Sequence, residues 1–471
     1  MNIIIVTPGH PGPDRKSLPP ASTAPFLAAL ATPYVKNIKI YDLAVQPFEL
    51  NGSIPDVALF TTTMAQFDQI YEIAKYLKVR GSTIIIGGPY ATLAYDFDPR
   101  IKDISDCVVL GEGEKALPMA LEDHRSGRLE STYHMPIDSL DGVPFSRLDL
   151  LDHSKYYYST VVFGTRGCVN SCAYCSIRDL YGPKYLKRPV DEVIEEIKFQ
   201  TSRPNIGWRD RKMVMFWDDN PHCDLDWFHE LLEKLIPLKK WWLSQTCLSV
   251  ADNEETVKLM KASGCKGIFV GIESVSRDSL KGQNKETVNL VENYIRQTRT
   301  LLKHGINIVG AMMFGFEQDT KESLFNDTLE IIEKMGLTLL QPHIFTPYPH
   351  LEYFKKLNKE NRVITREAKY YNGYTLVHEP ANIHPADLQE GFIKIRKQFY
   401  SLRSIIKRML KHNLSKFPEF LIENIIFHKA NYEAIPGVDV KKWLNYLKSR
   451  TPKNEYKNDQ KADSHFLELK N

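Results

Sequence analysis

The chain has 471 residues, which at roughly 100–200 residues per domain allows about two to four domains. Its 61 Lys and Arg against 58 Asp and Glu give a formal charge of +3, and this near-balance argues against a protein that mainly holds nucleic acid. Apolar residues at 43% and charged residues at 25% are ordinary globular usage and exclude a wholly disordered chain. Seven cysteines are too few for a disulfide scaffold and odd in number, which favours a reducing compartment.

The first apolar run of the chain, Ile3–Val6, is too short for the core of a signal peptide and has no basic flank. No stretch of the sequence approaches the roughly 20 apolar residues that a membrane-spanning helix needs. We therefore expect a cytoplasmic protein.

Residues 1–130 alternate short apolar runs with segments of helical periodicity. The predicted strands are Ile3–Val6, Ile38–Tyr41, Val57–Phe60, Thr83–Ile86 and Cys107–Leu110. Continuous apolar strands separated by helices are typical of a parallel sheet that is covered on both faces. Glycine-rich turns follow the last two strands, Gly87-Gly88-Pro89 and Gly111-Glu112-Gly113. Because ligands of open α/β sheets bind beyond the carboxyl ends of the strands, the sequence predicts a Rossmann-like domain with its ligand site at these turns.

Residues 131–158 show weak periodicity and are predicted to be a linker. A second alternating series fills residues 159–354, with strands predicted at Thr160–Phe163, Met213–Trp217, Trp241–Thr246, Gly267–Ile272, Ile306–Phe314 and Leu337–Phe345. Six strands that are each followed by an amphipathic helix predict a (βα)6 partial TIM barrel with its site at the strand C-terminal ends. Residues 355–450 are predicted to form a helical extension, and residues 451–471 a polar, disordered tail.

Three cysteines, Cys168, Cys172 and Cys175, lie close together directly after the first strand of the second series. Thiolates are soft ligands that suit iron–sulfur clusters or zinc, so this motif is a candidate metal centre. No fourth Cys or His stands at the usual zinc spacing, whereas three ligands on a four-iron cluster leave one iron open. A zinc-dependent binding module and three buried thiols stay open as alternatives. The other cysteines are expected to be small buried side chains: Cys107, Cys223, Cys247 and Cys265.

The spacing Cys168-x3-Cys172-x2-Cys175, with Tyr174 before the last cysteine and a six-unit βα series around it, resembles the radical S-adenosylmethionine (SAM) enzymes. The resemblance implies that the three cysteines bind a [4Fe–4S] cluster whose open iron is chelated by SAM, and that Tyr174 lies near the adenine. It also implies reductive cleavage of SAM to a 5′-deoxyadenosyl radical, with an electron donor such as flavodoxin or ferredoxin. That radical abstracts a hydrogen atom from the substrate.

Other segments of the second series resemble the same family and imply further SAM contacts at Asp218, Asp219, Glu273 and Gly315. The two aspartates follow the second strand, Glu273 ends the fourth, and Gly315 begins the turn after the fifth. On the residues alone, the aspartates also fit a helix N-cap and a solvated acid, and Glu273 fits a strand-end ion pair. The sixth-strand exit departs from the family pattern, because His350-Leu351 stands where relatives usually have Gly-Thr.

A five-strand α/β domain ahead of such a barrel resembles the cobalamin-binding domain of the cobalamin-dependent radical SAM class. The resemblance implies corrin contacts from the turns after the third, fourth and fifth strands: Thr62, Thr63, Gly87, Gly88, Pro89, Tyr90, Gly111 and Glu112. The Asp-x-His-x-x-Gly motif that supplies a cobalt-ligating His in other cobalamin proteins is absent, as it is in most relatives with this architecture. Some relatives keep the domain and bind no cobalamin, so that alternative stays open.

Together these features predict a cobalamin-dependent methyltransferase for an unactivated carbon or phosphorus of a small-molecule or lipid substrate, with no nucleic acid. The alternative is a radical SAM cyclase, deoxygenase, oxidase or C–C coupling enzyme acting on a lipid, sugar or pigment without methyl transfer. The segment Lys394–Lys411 combines an apolar stripe with seven Lys or Arg residues. Such a segment fits either a lid helix with a solvated basic face or a peripheral contact with a membrane surface.

Overall fold

The computed structural model describes residues 1–9, 19–319, 324–412, 418–429, 434–435 and 437–451. The predicted disordered tail therefore lies, from residue 452 onward, outside the described residues. The chain forms two compact units. The first contains residues 1–169, 176–223 and 238–240, and the second contains residues 170–175 and 224–237 and the chain from residue 241 onward.

The first unit begins with a six-stranded parallel sheet in the order β2-β1-β3-β4-β5-β6. The elements in chain order are β1 (Asn2–Thr7), α1 (Thr23–Ala31), β2 (Asn37–Asp42), β3 (Val57–Thr61), α2 (Phe67–Lys78), β4 (Thr83–Gly87), α3 (Pro89–Ala94), α4 (Pro99–Ile104), β5 (Cys107–Leu110), α5 (Gly113–Arg125) and β6 (Thr132–His134). The predicted parallel α/β fold is confirmed. The sixth strand lies inside the segment predicted to be a linker, because three residues with one buried side chain, Tyr133, are too few to show a period.

The covering helices follow from helical spacing of their apolar residues. In α2 the side chains of Ile70, Ala74 and Leu77 are fully buried and lie on one face of the helix. The strands β3 and β4 have buried residues on both faces, as their uninterrupted apolar runs predict.

The rest of the first unit surrounds the start of the cysteine motif. Its elements are β7 (Val161–Val162), β8 (Thr165–Gly167), α6 (Ile177–Tyr181), β9 (Tyr185–Lys187), α7 (Val190–Ser202), α8 (Trp208–Lys212) and β10 (Met213–Phe216). β7 pairs in parallel with β10, whereas β8 and β9 form an antiparallel pair. The sequence did not predict the β8–β9 pair, because its strands have three residues each and show no apolar alternation.

The second unit contains four parallel strands that neighbour one another in chain order. Its elements are α9 (Leu225–Leu235), β11 (Trp241–Thr246), α10 (Glu254–Ser263), β12 (Cys265–Glu273), α11 (Arg277–Gly282), α12 (Tyr294–Lys303), β13 (Asn307–Phe314), α13 (Leu324–Met335) and β14 (Leu339–Ile344). With β7 and β10, these strands match the six that the sequence predicted.

The second unit continues into the predicted helical extension. Its elements are α14 (Glu352–Lys359), α15 (Pro385–Phe399), α16 (Leu402–His412), α17 (Pro418–Lys429), β15 (Ala434–Ile435), β16 (Val438–Asp439) and α18 (Val440–Ser449). Among the residues described, no helix combines the length and the apolar character that crossing a bilayer would require.

A fully buried ion pair anchors the end of β7. Arg188 Nη1 lies 2.5 Å from Glu196 Oε2 and donates to the Phe163 carbonyl at 3.0 Å. The Arg188 backbone N–H donates to the Gly164 carbonyl at 2.8 Å, and Glu196 Oε1 accepts from Ser146 N at 2.9 Å. The pair therefore ties α7 to the backbone that precedes the cysteine motif.

We expect Glu196→Ala to lower the free energy of unfolding by about 3–5 kcal/mol, because it leaves a buried guanidinium without its counter-charge. The double variant Arg188→Met, Glu196→Leu should lose less, since no uncompensated charge remains. Urea titration followed by circular dichroism measures both variants. A single-variant loss below about 1 kcal/mol would contradict the anchoring role, since that is the size of an exposed pair.

Candidate functional site

The turn between β7 and β8 is fixed by a buried aspartate from the end of β10. Asp218 Oδ1 accepts hydrogen bonds from Gly164 N at 3.0 Å, from Thr165 N at 2.5 Å and from Thr165 Oγ1 at 2.6 Å. Asp219 accepts a bond from Gly167 N at 2.8 Å. The structure thus gives Asp218 a role in holding the turn ahead of Cys168, and the SAM contact stays a prediction for both aspartates.

Cys168 follows a glycine whose backbone other residues would not readily adopt. Gly167 has φ +87°, and a Cβ at this position would collide with the carbonyl oxygen of Lys184. Asn220 Nδ2 donates toward Cys168 Sγ over 3.9 Å. The segment after β10 therefore holds both the approach to the first cysteine and the cysteine itself.

The remaining two cysteines of the motif lie in the second unit. Cys175 N donates to the Cys172 carbonyl at 3.1 Å, and Ala173 N donates to the Gln283 carbonyl at 3.0 Å. Tyr174 OH donates to Glu273 Oε1 at 3.0 Å. Two residues that the sequence singled out separately, Tyr174 and Glu273, are thus in direct contact.

The chemistry of the donor set fits an iron–sulfur cluster. Cys168, Cys172 and Cys175 form no disulfide and are partly exposed, whereas burial raises the pKa of Cys107 to about 12. A ligand sulfur must be accessible and must lose its proton, so the three motif cysteines are suitable. Among the described residues, no three His, Cys, Asp or Glu side chains could share one metal ion. A four-iron cluster is ligated at separate irons, so its thiolates do not need to converge on one point.

The structure also places the four cysteines outside the motif. Cys107, Cys247 and Cys265 are buried, as expected from the sequence. The expectation was wrong for Cys223, which is partly exposed in the short 3₁₀ turn after β10.

Glu273 ends β12 in a strained conformation. Its φ of +66° is uncommon for any residue other than glycine. Asn289 Nδ2 donates to the carbonyls of Gly271 and Ile272 at 2.8 and 2.9 Å, and the Tyr294 hydroxyl donates to the Ile272 carbonyl at 3.2 Å. The surrounding contacts therefore fix the strained bend, which aims the Glu273 carboxylate at Tyr174.

Sequence reasoning missed Lys285, a buried cation beside this carboxylate. Lys285 Nζ lies 3.7 Å from where a Cβ of Gly271 would stand, and the Glu273 carboxylate borders the same position. Burial raises the pKa of Glu273, against the opposing effects of Lys285 and Tyr174. Burial disfavours the charged form of Lys285, but Glu273 and nearby thiols outweigh it and raise its pKa. The sequence did not indicate this role, because Lys285 is a single lysine in a polar loop with no motif around it.

The turn after β13 is held from several directions. Gly315 has φ +102°, and Asp319 Oδ2 accepts from Gly315 N at 2.8 Å and from Phe316 N at 3.0 Å. His378 Nε2 lies 3.0 Å from the Gly315 carbonyl oxygen, to which it donates. Burial lowers the pKa of His378 to about 4, so the ring is neutral at physiological pH. The predicted contact residue Gly315 therefore lies in a rigid turn, and its neighbour Phe316 packs 6.3 Å from the Tyr174 ring.

Polar residues that follow β14 hold the same turn. Glu317 accepts from the Tyr353 hydroxyl at 2.5 Å and from Arg362 Nη1 at 2.9 Å. The Glu317 carbonyl accepts from Asn382 Nδ2 at 3.0 Å. None of these partners was found from the sequence, because they lie 36 to 65 residues away along the chain.

The first unit contains a solvent-open cleft with a cavity volume of about 240 Å³ at the C-terminal ends of β3, β4 and β5. It is lined by Ser22, Thr23, Phe26, Leu27, Leu59, Phe60, Thr61, Ile85, Gly87, Gly88, Pro89, Val109, Gly111, Glu112, Gly113, Glu114, Leu117, Phe163, Thr165, Arg166, Leu180, Tyr181, Trp217 and Asp219. The predicted corrin contacts Gly87, Gly88, Pro89, Gly111 and Glu112 are therefore brought together. Gly88 has φ +92°, and a Cβ here would stand 2.6 Å from Thr61 Oγ1, so the backbone needs a glycine.

Three other predicted corrin contacts are not among the lining residues. Thr62 is buried, donates to the Gly87 carbonyl and accepts from Ala91 N, each at 2.9 Å. The Tyr90 hydroxyl donates to Asp98 at 2.7 Å inside the domain. Thr63 is exposed and bonds to Gln66 Oε1 at 2.5 Å.

Ion pairs join the cleft to the cysteine segment within the first unit. Arg166, two residues before Cys168, lies 2.5 Å from Glu114 Oε1, and Lys184 Nζ lies 2.8 Å from Glu112 Oε2. Glu112 Oε1 is buried and accepts no hydrogen bond from the described residues. The periphery of a corrin ring bears primary amides, which are donors for such an oxygen. Together with the glycine-lined floor, this acceptor fits cobalamin.

Comparisons with known proteins agree with this geometry. Residues 162–331 match the model of the Radical SAM superfamily, so the chain contains a radical SAM domain. The chain is 28% identical over 382 residues to bacteriochlorophyllide d C-12(1)-methyltransferase of Chlorobaculum tepidum, a match that covers 79% of this chain and 82% of the relative.

Two solved structures share the fold. The cobalamin-dependent SAM radical enzyme OxsB with aqua-cobalamin and SAM bound has a TM-score of 0.61 at 16% identity, covering 99% of this chain and 78% of that one. The radical SAM methyltransferase TsrM of Kitasatospora setae, with cobalamin and a [4Fe–4S] cluster bound, has a TM-score of 0.58 at 15% identity, covering 76% and 78%.

Asp218 makes the stability of the protein depend on pH. Burial raises its pKa from 3.8 to about 7, against the opposing hydrogen bonds from Thr165 and Gly164. A carboxyl whose pKa is higher in the folded state contributes stability below its unfolded pKa, and this contribution is lost as the pH rises through the folded pKa. We therefore expect the urea midpoint to fall as the pH rises from about 4 to about 7, and to fall less in Asp218→Asn.

The pH dependence of the urea midpoint needs a correction for other carboxyls and a charge control. Asp319, whose pKa burial raises to about 6, adds a slope of the same sign, so the difference between variant and wild type is the readout. The exposed Asp96→Asn serves as the charge control and should keep the wild-type slope. Equal slopes for Asp218→Asn and the wild type would show that Asp218 does not titrate in this range.

Proposed function

We propose that this radical SAM enzyme, homologous to cobalamin-dependent radical SAM methyltransferases, binds cobalamin in its first unit and methylates an unactivated carbon. The observation that carries the proposal is the cleft itself. Its lining combines the turns after β4 and β5 with Arg166 and Phe163, which lie within five residues of Cys168. A cofactor held there is bound by the same unit that begins the cluster motif.

The cluster and SAM would supply a radical that abstracts hydrogen, and cobalamin would carry the methyl group. The protein positions these groups and excludes water. Cys168, Cys172 and Cys175 would ligate three irons. Tyr174 and Glu273 form a preset hydrogen-bonded pair beside two of the cysteines, suited to holding the polar groups of SAM.

The cleft supports cobalamin through shape and through donor–acceptor matching. Gly87 and Gly88 have no side chains that would keep a flat macrocycle from the backbone. Glu112 Oε1 offers a buried acceptor to an amide of the corrin periphery. Lys184 pairs with Glu112 and Arg166 pairs with Glu114, so neither glutamate presents an uncompensated negative charge to the ligand.

One face of the sheet formed by β11 to β14 indicates what kind of substrate fits. Side chains alternate between buried and partly exposed along β11, and β12 to β14 add partly exposed side chains on the face that strand register joins to it. This face carries Leu243, Gln245, Phe269, Val309, Met313, Gln341 and His343. Four of these side chains are apolar, and two amides and one imidazole can form hydrogen bonds, which suits a largely apolar substrate with a few hydrogen-bonding groups.

A second candidate is cobalamin-dependent radical chemistry without methyl transfer. It is favoured by the structural similarity to OxsB, which is described as a cobalamin-dependent SAM radical enzyme and not as a methyltransferase. The two functions differ in the products formed from SAM. Reductive cleavage of SAM leaves 5′-deoxyadenosine in both functions, and only methyl transfer leaves S-adenosylhomocysteine in addition.

We expect Cys168→Ala, Cys172→Ala and Cys175→Ala each to lose most of the cluster iron and the formation of 5′-deoxyadenosine after anaerobic reconstitution. The physical reason is that each removes one of three thiolate ligands. Iron analysis, the visible absorption of the cluster and chromatography of SAM products, with flavodoxin and its reductase as electron source, measure the effect. The matched control is Cys223→Ala, another partly exposed cysteine, which should keep all three.

The same assay separates the two candidate functions. The wild type reconstituted with cobalamin should form S-adenosylhomocysteine in proportion to bound corrinoid. If 5′-deoxyadenosine forms and S-adenosylhomocysteine does not, methyl transfer is refuted and the second candidate stands. Zinc binding with no SAM product at all would refute both.

We expect Thr23→Trp to reduce retained corrinoid at least about tenfold, because an indole would fill the mouth of the cleft at a cost above about 1.4 kcal/mol. Thr23 is exposed and lines the cleft at the start of α1. The matched control is Thr63→Trp, also an exposed threonine but outside the lining. Corrinoid is measured by its absorption after gel filtration. Equal retention in both variants would place the corrin elsewhere.

A further inference from the structure

Helix α16 exposes a stripe of large aliphatic side chains. Leu402, Ile406 and Leu410 recur at every fourth position, and 58%, 55% and 83% of their surfaces are exposed. Single exposed apolar residues are ordinary on protein surfaces, but an aligned row of three marks an interaction surface.

The rotation of α16 is fixed, so the stripe cannot turn inward. Arg408, on the opposite side of the helix, is buried and donates to the Phe399 carbonyl at 2.7 Å and to Asn424 Oδ1 at 2.6 Å. Its guanidinium also lies 3.8 Å from the centre of the Phe399 ring. Ile405, which is 3% exposed, packs on this same buried side. α15 and α17 therefore clamp one face of the helix and leave the stripe directed to solvent.

Basic residues flank the stripe. Arg403 and Lys407 follow Leu402 and Ile406 by one position, which places them about 100° around the helix from the aliphatic row. The sequence from 394 to 412 contains no Asp or Glu. Lys394 of α15 lines one groove with Arg403 and Lys407. The two acidic residues of that groove pair with other lysines, Glu333 with Lys407 at 2.5 Å and Glu390 with Lys448 at 2.6 Å. Arg403 and Lys394 are exposed and have no acidic partner among the described residues.

We propose that this stripe and its flanking cations, Leu402, Ile406, Leu410, Arg403 and Lys394, dock the enzyme on the surface of an anionic lipid bilayer. Aliphatic side chains beside basic ones match the boundary between acyl chains and anionic headgroups. A second copy of the chain is a poorer occupant, because a two-fold contact would set these cations against their own counterparts. The inference does not depend on the proposed function.

The test is co-sedimentation of the full-length, reconstituted protein with vesicles. We expect binding to phosphatidylcholine vesicles that contain phosphatidylglycerol and little binding to phosphatidylcholine alone. The triple variant Leu402→Gln, Ile406→Gln, Leu410→Gln should lose at least about tenfold in affinity for the anionic vesicles, because each truncation removes apolar area from the acyl boundary. Arg403→Gln with Lys394→Gln should also lose about tenfold or more, since each cation near an anionic surface contributes about fivefold.

A matched control separates the stripe from general surface hydrophobicity. The variant Val79→Gln, Leu225→Gln, Ile236→Gln removes three other exposed aliphatic side chains and should bind vesicles like the wild type. Circular dichroism and the thermal unfolding midpoint verify that the variants fold, as expected for residues at the surface. Undiminished binding by the triple stripe variant, or no binding by the wild type, would overturn the proposal. A wild-type dimer that becomes monomeric in the stripe variant, without vesicle binding, would assign the face to a second copy.

Discussion

The backbone from Phe163 to Thr165 is held by two buried side chains, the carboxyl of Asp218 and the guanidinium of Arg188, and the position of Cys168 depends on both. Asp218 accepts from the amides of this segment, while Arg188 donates to its carbonyls and is itself paired with Glu196. Buried charges cost free energy unless they are paired and hydrogen-bonded, so this arrangement contributes positional accuracy more than stability. Such accuracy is what three ligands around a cluster with one open iron require.

The same segment links the cluster motif to the cleft. Arg166 is placed by the turn that Asp218 fixes, and it reaches Glu114 in the turn after β5. A displacement of that turn would therefore move both the first cysteine and one wall of the cleft. In the second unit, Tyr174 is positioned from two sides. The strained Glu273 accepts a hydrogen bond from its hydroxyl, and Phe316 of the turn that begins at Gly315 packs against its ring. Several hydrogen bonds fix both the bend at Glu273 and the turn at Gly315.

Sequence reasoning reached the fold because long apolar strands and amphipathic helices have periods that survive in a single chain. It found the cysteines, Tyr174, Glu273 and the cleft glycines because motifs concentrate them at the ends of predicted strands. It missed β6, β8 and β9, whose three residues each are too few for a period. It also missed Lys285, His378 and Arg362, because their roles come from contacts with residues far along the chain. Thr62 and Tyr90 stand beside the right glycines, but their hydrogen bonds point them into the domain.

The helical extension carries two kinds of surface that serve different ends. The segment between α14 and α15 contacts the Gly315 turn through His378 and Asn382, so it belongs to the site. Helix α16 instead presents an aliphatic row that no described residue covers. An aligned row of exposed aliphatic side chains is typical of an interaction surface. The substrate proposed for the partly exposed face of β11 to β14 is largely apolar, and such molecules partition into bilayers. An enzyme docked through the row at Leu402, as proposed, would meet such a substrate at high local concentration, because the bilayer would hold both.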